Sequence, residues 1–592
     1  MKKVQIASIL LATVLGGGVP VWAADREAAV KHLVYLNPFI VQKFAQEAAA
    51  SGYKAPEVPD GLEMPERMAY VQIHLEEFKY APGAEAVKAL LIDRYQLRDV
   101  GETLSSTPAF FAQLSDKERQ AVAASELVSH IDTFNASEDG LTLSGAVDQN
   151  VGGEIIPWAR QAVSGGLYDS TTTANQIYVV DMAYSHTALN GEINLSFTNN
   201  MGYTPSIAQN HAAHIFSLVG ARENSQKIKG INPGQPIVHI GSKDAEDLAV
   251  LISGVDYAAW LAEYVGDFAS MSLSFNSVNI KQSLNTFNIN NPGGRMLRKA
   301  SSRFFIAQSA GNKNRDACLQ AFNYGGTGYQ ARDGIVVTGG TDNNGARFLF
   351  TQNPAGWGSV DGSSYGPCVE AWAPGSQITS TWADGSVQTM TGTSFSAPIV
   401  AAIAARYGNY TTRPIEREAY ITNSLFWTGQ YENASTSNAP IMQVAYTNPT
   451  SHSIPKRLPI TAAYSKTNPA NLNFLYDQKF YTENFWNAGA YWGSVVVDLG
   501  SVKNITGVRL HMRSSANGGA INFAVHGGNA INLSGPDGPS IPTNPIAYSN
   551  VTNQFDMVPY YIYLSGNYRY LMIEGNNFDS WLAYSEIEVY GN

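Results

Sequence analysis

Between residues 154 and 410 the chain keeps returning to one pattern: a short, mostly apolar run, a polar turn, then a stretch with helical spacing. Residues 177–180, 236–240, 270–273, 304–307 and 335–337 are runs of this kind. A strand with one wet face alternates apolar and polar side chains, so runs that ignore strict alternation need cover on both faces. Interleaved with helices, such strands predict an α/β architecture, a doubly wound parallel sheet. At 592 residues the chain exceeds what one core can serve, and three or four domains are expected.

Charge narrows the function. Lys plus Arg total 38 against 49 for Asp plus Glu, a net charge of −11, which argues against a nucleic-acid partner and its basic face. Only 15% of residues are charged, below the roughly 25% usual for soluble domains. Gly, Ser, Thr, Asn and Tyr fill the difference, a mix that suits an exported, loop-rich protein. Two cysteines exclude a disulfide-dense miniature scaffold and a four-cysteine zinc site.

The first residues read as an address. Lys2 and Lys3 precede an apolar run at 6–15, too short to span a bilayer comfortably, and Val21-Trp22-Ala23 offers a cleavage site before Ala24. Residues 1–23 are therefore expected to be a cleaved signal peptide and the mature protein to be secreted. The alternative is an N-terminal anchor, which the break at 16–20 disfavours. No later stretch reaches membrane-spanning length.

Residues 24–140 are expected to form a propeptide region. Within it, 24–65 has a helical pattern, 69–75 and 127–134 read as strands, 84–97 as a helix and 104–114 as extended. Ser115 with Glu118 three residues on is a capping box that opens a helix to Ala124. Together they predict a small α+β module. Residues 141–430 form the α/β domain, 431–455 read as a linker, and 456–592 carry β-rich runs at 495–499, 505–512, 522–526, 560–564 and 570–573, as in an antiparallel sandwich.

Chemistry concentrates at Gly392-Thr393-Ser394-Phe395-Ser396-Ala397-Pro398, where small residues lead into a helix. Ser394 at a helix N-terminus faces free N–H groups and a dipole that favour a developing negative charge. Gly392 permits close approach of a substrate backbone, and Pro398 is expected in or near the first turn, where its missing N–H costs little. A serine needs a base and an orienting acid. His211 opens a helix among small residues, and Asp181 ends the apolar run 177–180, where open α/β sheets place their sites. The order Asp, His, Ser is that of subtilisin. His211-Ala212-Ala213-His214 lacks the glutamate and the i,i+4 spacing of a zinc protease helix, so His214 and His186 read as structural.

From residue 156 to 410 the chain resembles the subtilase family of serine proteases, especially its proteinase K-like branch. The resemblance assigns Asp181, His211 and Ser394 to the triad, and Asn312 in Ser309-Ala310-Gly311-Asn312 to the oxyanion hole. It implies substrate binding along Ser272-Leu273-Ser274 and a disulfide between Cys318 and Cys368, free thiols being the alternative. Ala212-Ala213 stand where the family usually has Gly-Thr, and Met182-Ala183 follow the aspartate. Phe275 stands where glycine is common, which puts substrate preference in question. The chemistry requires no cofactor. Structural calcium is implied at Glu370, a plain surface carboxylate being the alternative.

Residues 69–134 resemble the subtilase inhibitory prodomain, 110–118 carrying most of the likeness, an ordinary ferredoxin-like accessory domain being the alternative. This implies an autoprocessed zymogen whose propeptide inhibits it. Residues 457–592 resemble the discoidin or coagulation-factor type C domain, a galactose-binding-like β-sandwich. Trp492-Gly493-Ser494-Val495-Val496-Val497-Asp498-Leu499-Gly500 and residues 568–573 and 585–591 carry that likeness. It implies a glycan or lipid-surface ligand and a calcium held by residues matching Asp477, Thr482 and Glu586. Trp492 is expected in the core, and Trp486 or Tyr491 as sugar-stacking candidates. The reading is a secreted, monomeric endopeptidase acting on polypeptides. The alternative is a surface-binding or adhesive protein on an inactive protease scaffold.

Overall fold

The computed structural model describes residues 30–105, 107–133, 148–151, 153–164, 175–185, 187–203, 209–224, 226–242, 248–273, 292–319, 332–350, 361–434, 436–447, 454–481, 483–515, 519–534, 538–554 and 556–592. The signal-peptide reading, residues 134–147 that follow the expected α+β module, His186, Ser274, Phe275 and Thr482 lie outside them. Two compact units emerge. One gathers described residues of 1–135 and 457–592 with Glu263–Val265, the other 136–262 and 266–456.

The second unit is built on a nine-stranded sheet. From one edge its order is Leu425–Tyr431, Pro440–Val444, Ala371–Pro374, Ile335–Thr341, Phe304–Ser309, Ala269–Leu273, Ile177–Met182, Pro236–Ser242 and Asn194–Asn199. All pairings are parallel except that of the edge strand Leu425–Tyr431. Every residue of Phe304–Ser309 and Ile335–Thr341 is buried, which is why these runs carry no polar alternation. Strand Ile177–Met182 lies between Pro236–Ser242 and Ala269–Leu273, where the winding changes direction. The crevice at such a switch point opens at the carboxyl ends of the strands. Helix Thr393–Ala405, buried along its whole length, packs across the central strands. The expected linker at 431–455 is corrected here: Pro440–Val444 is a strand of this sheet, paired in parallel with Ala371–Pro374 through Trp372 and Gln443. Its Ile441 and Val444 are fully buried, so apolar burial outweighed the Thr/Asn/Ser-rich composition around them.

In the first unit, the N-terminal module has a four-stranded antiparallel sheet ordered Val100–Thr103, Ala109–Leu114, Val30–Leu36, Val128–Thr133. The capping box at Ser115 and Glu118 forms as expected, with Glu118 N–H donating to Ser115 Oγ at 3.3 Å and Ser115 N–H to Glu118 Oε2 at 2.8 Å. Two expectations are corrected. The central strand is Val30–Leu36, in a region expected to be helical, and its His32, Leu33 and Val34 are all buried. The strand expected at 69–75 is instead largely part of a helix, Met64–Ile73, which buries Met64, Met68 and Val71 at helical spacing.

The β domain of this unit threads two long strands, Trp492–Arg513 and Pro559–Asn577, through a sheet ordered Lys456–Leu458, Ala583–Gly591, Trp492–Arg513, Pro559–Asn577, Gly519–Gly528, Pro545–Gln554. The expected runs 495–499 and 505–512 fall on one of the long strands and 560–564 and 570–573 on the other, with bulges between them. The N-terminal module packs on this domain. Phe39 meets Phe485 and Trp581 edge-on at 5.7 and 5.0 Å, Gln42 Nε2 donates to Phe485 O at 3.3 Å, and Glu483 Oε1 accepts from Ala84 N–H at 3.1 Å.

Candidate active site

Asp181 is the fifth residue of Ile177–Met182, at the carboxyl end of the switch-point strand, and is buried. Its Oδ1 accepts the Met182 N–H at 2.7 Å, which fixes one carboxylate oxygen. His211 lies in the first turn of helix Gln209–Gly220. Its Nδ1 sits 2.9 and 3.1 Å from the two Asp181 oxygens, and Nε2 lies 3.0 Å from Ser394 Oγ. Asp181, His211 and Ser394 are therefore in one unbroken hydrogen-bonded line. Burial pulls the His211 imidazole down, but the Asp181 charge and hydrogen bond outweigh it and leave its pKa raised.

Ser394 is the second residue of its helix, after Gly392 at the N-cap. A Cβ at Gly392 would stand 3.1 Å from Ser394 Oγ and 3.4 Å from Asn312 Nδ2, so glycine keeps open the space between hydroxyl and amide. Asn312 Oδ1 accepts from Thr393 N–H at 2.8 Å and Thr393 Oγ1 at 3.0 Å. With its oxygen committed, the amide presents its Nδ2 donor toward the Ser394 side. Thr393 Oγ1 also accepts the Gly311 N–H at 3.1 Å, tying the two segments together. Thr393, from sequence only a small hydroxyl residue leading into Ser394, anchors the Asn312 amide. Its hydroxyl beside the serine was the signal.

Several other expectations resolve. Pro398 is the sixth helical residue, beyond the first turn, and lacks the N–H that would bond the Ser394 carbonyl four residues back. Cys318 and Cys368 are bonded, S–S 2.04 Å, closing 50 residues between the Asn312 segment and strand Ala371–Pro374. His214 is buried against Phe395 and depressed to about 3 by burial and the nearby His211, so it stays neutral. His239, its Nε2 2.9 Å from Met182 O, is depressed to about 4 by burial. Ser272 is fully buried in Ala269–Leu273, so its side chain is not a substrate contact; Leu273 ends that strand. The carboxylates proposed for calcium do not make a cage. Glu370, far from a surface carboxylate, is buried with Oε2 accepting from Val337 N–H at 3.0 Å. Glu586 is buried with Oε1 3.4 Å from Arg457 and Oε2 accepting from Gln478 N–H, while Asp477 accepts from Lys479 N–H. Among the described residues no three His, Cys, Asp or Glu are grouped to hold a metal. No described helix is long and apolar enough to cross a membrane.

The profile of the subtilase family matches residues 171–440. A thermostable alkaline protease of Halalkalibacterium halodurans is 25% identical over 356 residues, 58% of this chain and 85% of its own length. Proteinase R of Parengyodontium album is 25% identical over 351 residues, 55% of this chain and 81% of its own. Alkaline serine exoprotease A of Vibrio alginolyticus is 38% identical over 117 residues, 19% of this chain and 18% of its own. A cold-adapted subtilisin-like serine proteinase of solved structure covers 49% of this chain at 22% identity and a TM-score of 0.36. Residues 171–440 are thus a subtilase-family domain. The chain is a subtilisin-like serine endopeptidase.

Proposed function

We propose that the protein is a secreted endopeptidase, made as a self-processing zymogen, in which Ser394 attacks the scissile carbonyl. His211 Nε2 takes the hydroxyl proton during attack and returns it to the leaving amine. Asp181 holds the Nδ1–H tautomer and stabilises the imidazolium that forms. Asn312 Nδ2 and the Ser394 N–H stabilise the oxyanion from the helix N-terminus. Water then releases the acyl group by the same proton path in reverse.

The observation that carries this reading is the continuous Asp181–His211–Ser394 line at 2.9 and 3.0 Å with Asn312 beside it. It also disfavours the reading of an inert scaffold, which has no need to keep that geometry. Residues 24–140 hold the propeptide, cut from the enzyme between Phe134 and Gly153. The region 457–592 is a discoidin-like module that brings the enzyme to a glycan-bearing surface. A fluorophosphonate labels the active protein and fails to label Ser394→Ala, and in a protease-free host Ser394→Ala stays full length. Labelling of Ser394→Ala, or equal processing of both proteins, overturns the proposal.

A further inference from the structure

Trp492 was expected in the core and is 49% exposed, whereas Trp486, a stacking candidate from sequence, is fully buried. The exposed tryptophan begins a row that crosses four strands. Trp492 pairs with Asn576, Asn576 with Asn522, and Asn522 with Asn550. The adjacent row on the same face is Ser494, Glu574, Ala524 and Tyr548. The opposite face, with Val495, Phe523, Val525 and Ile573, is buried, so alternation turns both rows outward. They line a cleft of about 640 Å³, walled by Lys466, Pro539 and Ser540.

We infer that this sheet face is a binding cleft for a neutral glycan chain. The inference rests on reading 457–592 as a surface-targeting domain and names where and what that domain binds. Three amides, each able to donate and accept, stand one strand spacing apart, about 4.8 Å, as a row of sugar hydroxyls requires. The Asn576 side-chain oxygen, buried at the floor of the row, has no hydrogen-bond partner among the described residues. Trp492 and Tyr548, the latter 72% exposed, bracket the rows diagonally, on strands roughly 14 Å apart. That spacing fits a short oligosaccharide with an apolar ring face stacked at each end. Glu574 is held by His526, whose Nε2 lies 3.1 Å from Oε2, and so presents a positioned acceptor. One carboxylate and one ammonium line the cleft, a balance without the surplus of cations that an acidic polysaccharide or phosphate headgroup calls for.

The test uses full-length Ser394→Ala, which cannot digest itself. It is pulled down on insoluble cellulose, chitin and starch, with heparin–agarose and phosphatidylserine vesicles as acidic comparisons. The cleft predicts retention on at least one neutral polysaccharide, reduced tenfold or more by Trp492→Ala and by Asn522→Ala. Tyr491→Ala, an exposed aromatic outside the cleft, leaves retention unchanged. Circular dichroism and the thermal midpoint confirm that each variant is folded. Retention that survives Trp492→Ala and Asn522→Ala, or is lost only in Tyr491→Ala, overturns the cleft while leaving surface targeting intact. Binding to vesicles or heparin alone overturns the neutral ligand, and binding to none of the five overturns both readings.

Discussion

At the scale of single residues, the site depends on which atoms are already committed. Asn312 spends its oxygen on Thr393, so an exchange that keeps the oxygens but removes the donor separates catalysis from packing. Asn312→Asp is expected to lower kcat by roughly 10²–10³ with little change in KM, as loss of one oxyanion donor does. Steady-state kinetics on a peptide anilide check this, and an unchanged kcat would remove Asn312 from the mechanism. The His211 imidazole has to be neutral to accept the serine proton. Because Asp181 holds it above the ordinary 6.5, the acid limb of kcat/KM should lie above that value. In Asp181→Asn only burial remains among the main influences, and the limb should move to lower pH while kcat falls on the order of 10⁴-fold. A limb that stays in place would show that it reports some other group.

At the scale of elements, two close contacts have measurable costs. Gly83 sits where helices Pro38–Ala50 and Pro82–Tyr95 approach. An added Cβ would lie 2.2 Å from Val41 O and 2.9 Å from Glu483 Oε1. The backbone oxygen cannot step aside cheaply, so Gly83→Ala should destabilise the N-terminal module by about 1–3 kcal/mol, read as a lower urea midpoint. The Cys318–Cys368 bridge closes a 50-residue span and contributes up to about 4 kcal/mol in the chain-entropy account. Replacing both cysteines by alanine should lower the thermal midpoint of the catalytic domain by several degrees. An unchanged midpoint would mean that the span is already restrained in the unfolded chain.

For the molecule as a whole, the telling contact joins the two ends of the chain within one unit. Glu483 of the β domain accepts the Ala84 N–H at the start of helix Pro82–Tyr95, where the dipole welcomes a carboxylate. Burial nevertheless dominates and pushes its pKa up to about 7, against the lowering pull of the Ala84 N–H and Arg513. A carboxyl whose pKa is raised on docking favours the docked state most below its free value of 4.5 and loses that contribution as pH climbs toward 7. The packing of the N-terminal module on the β domain should therefore weaken between pH 4.5 and 7, and Glu483→Gln should flatten that dependence. Hydrogen exchange at Phe39 and Ala84 across this range measures it, and a flat wild-type profile would refute it.

Local order wrote most of the catalytic domain into the sequence. The runs at 177–180, 304–307 and 335–337 are strands because burial on both faces leaves no other use for such segments. The meeting of Asp181, His211 and Ser394 was legible because these residues sit where strand ends and helix starts place reactive groups. Elsewhere local signals competed and tertiary packing chose. Val30–Leu36 became a central strand because Ala109–Leu114 and Val128–Thr133, far along the chain, supplied its partners. Pro440–Val444 joined the sheet because an open edge stood beside Ala371–Pro374. Trp486 and Trp492 are alike as residues, yet one is buried and the other exposed. Which side of a strand faces water depends on the register with other strands, and a single residue carries no record of it.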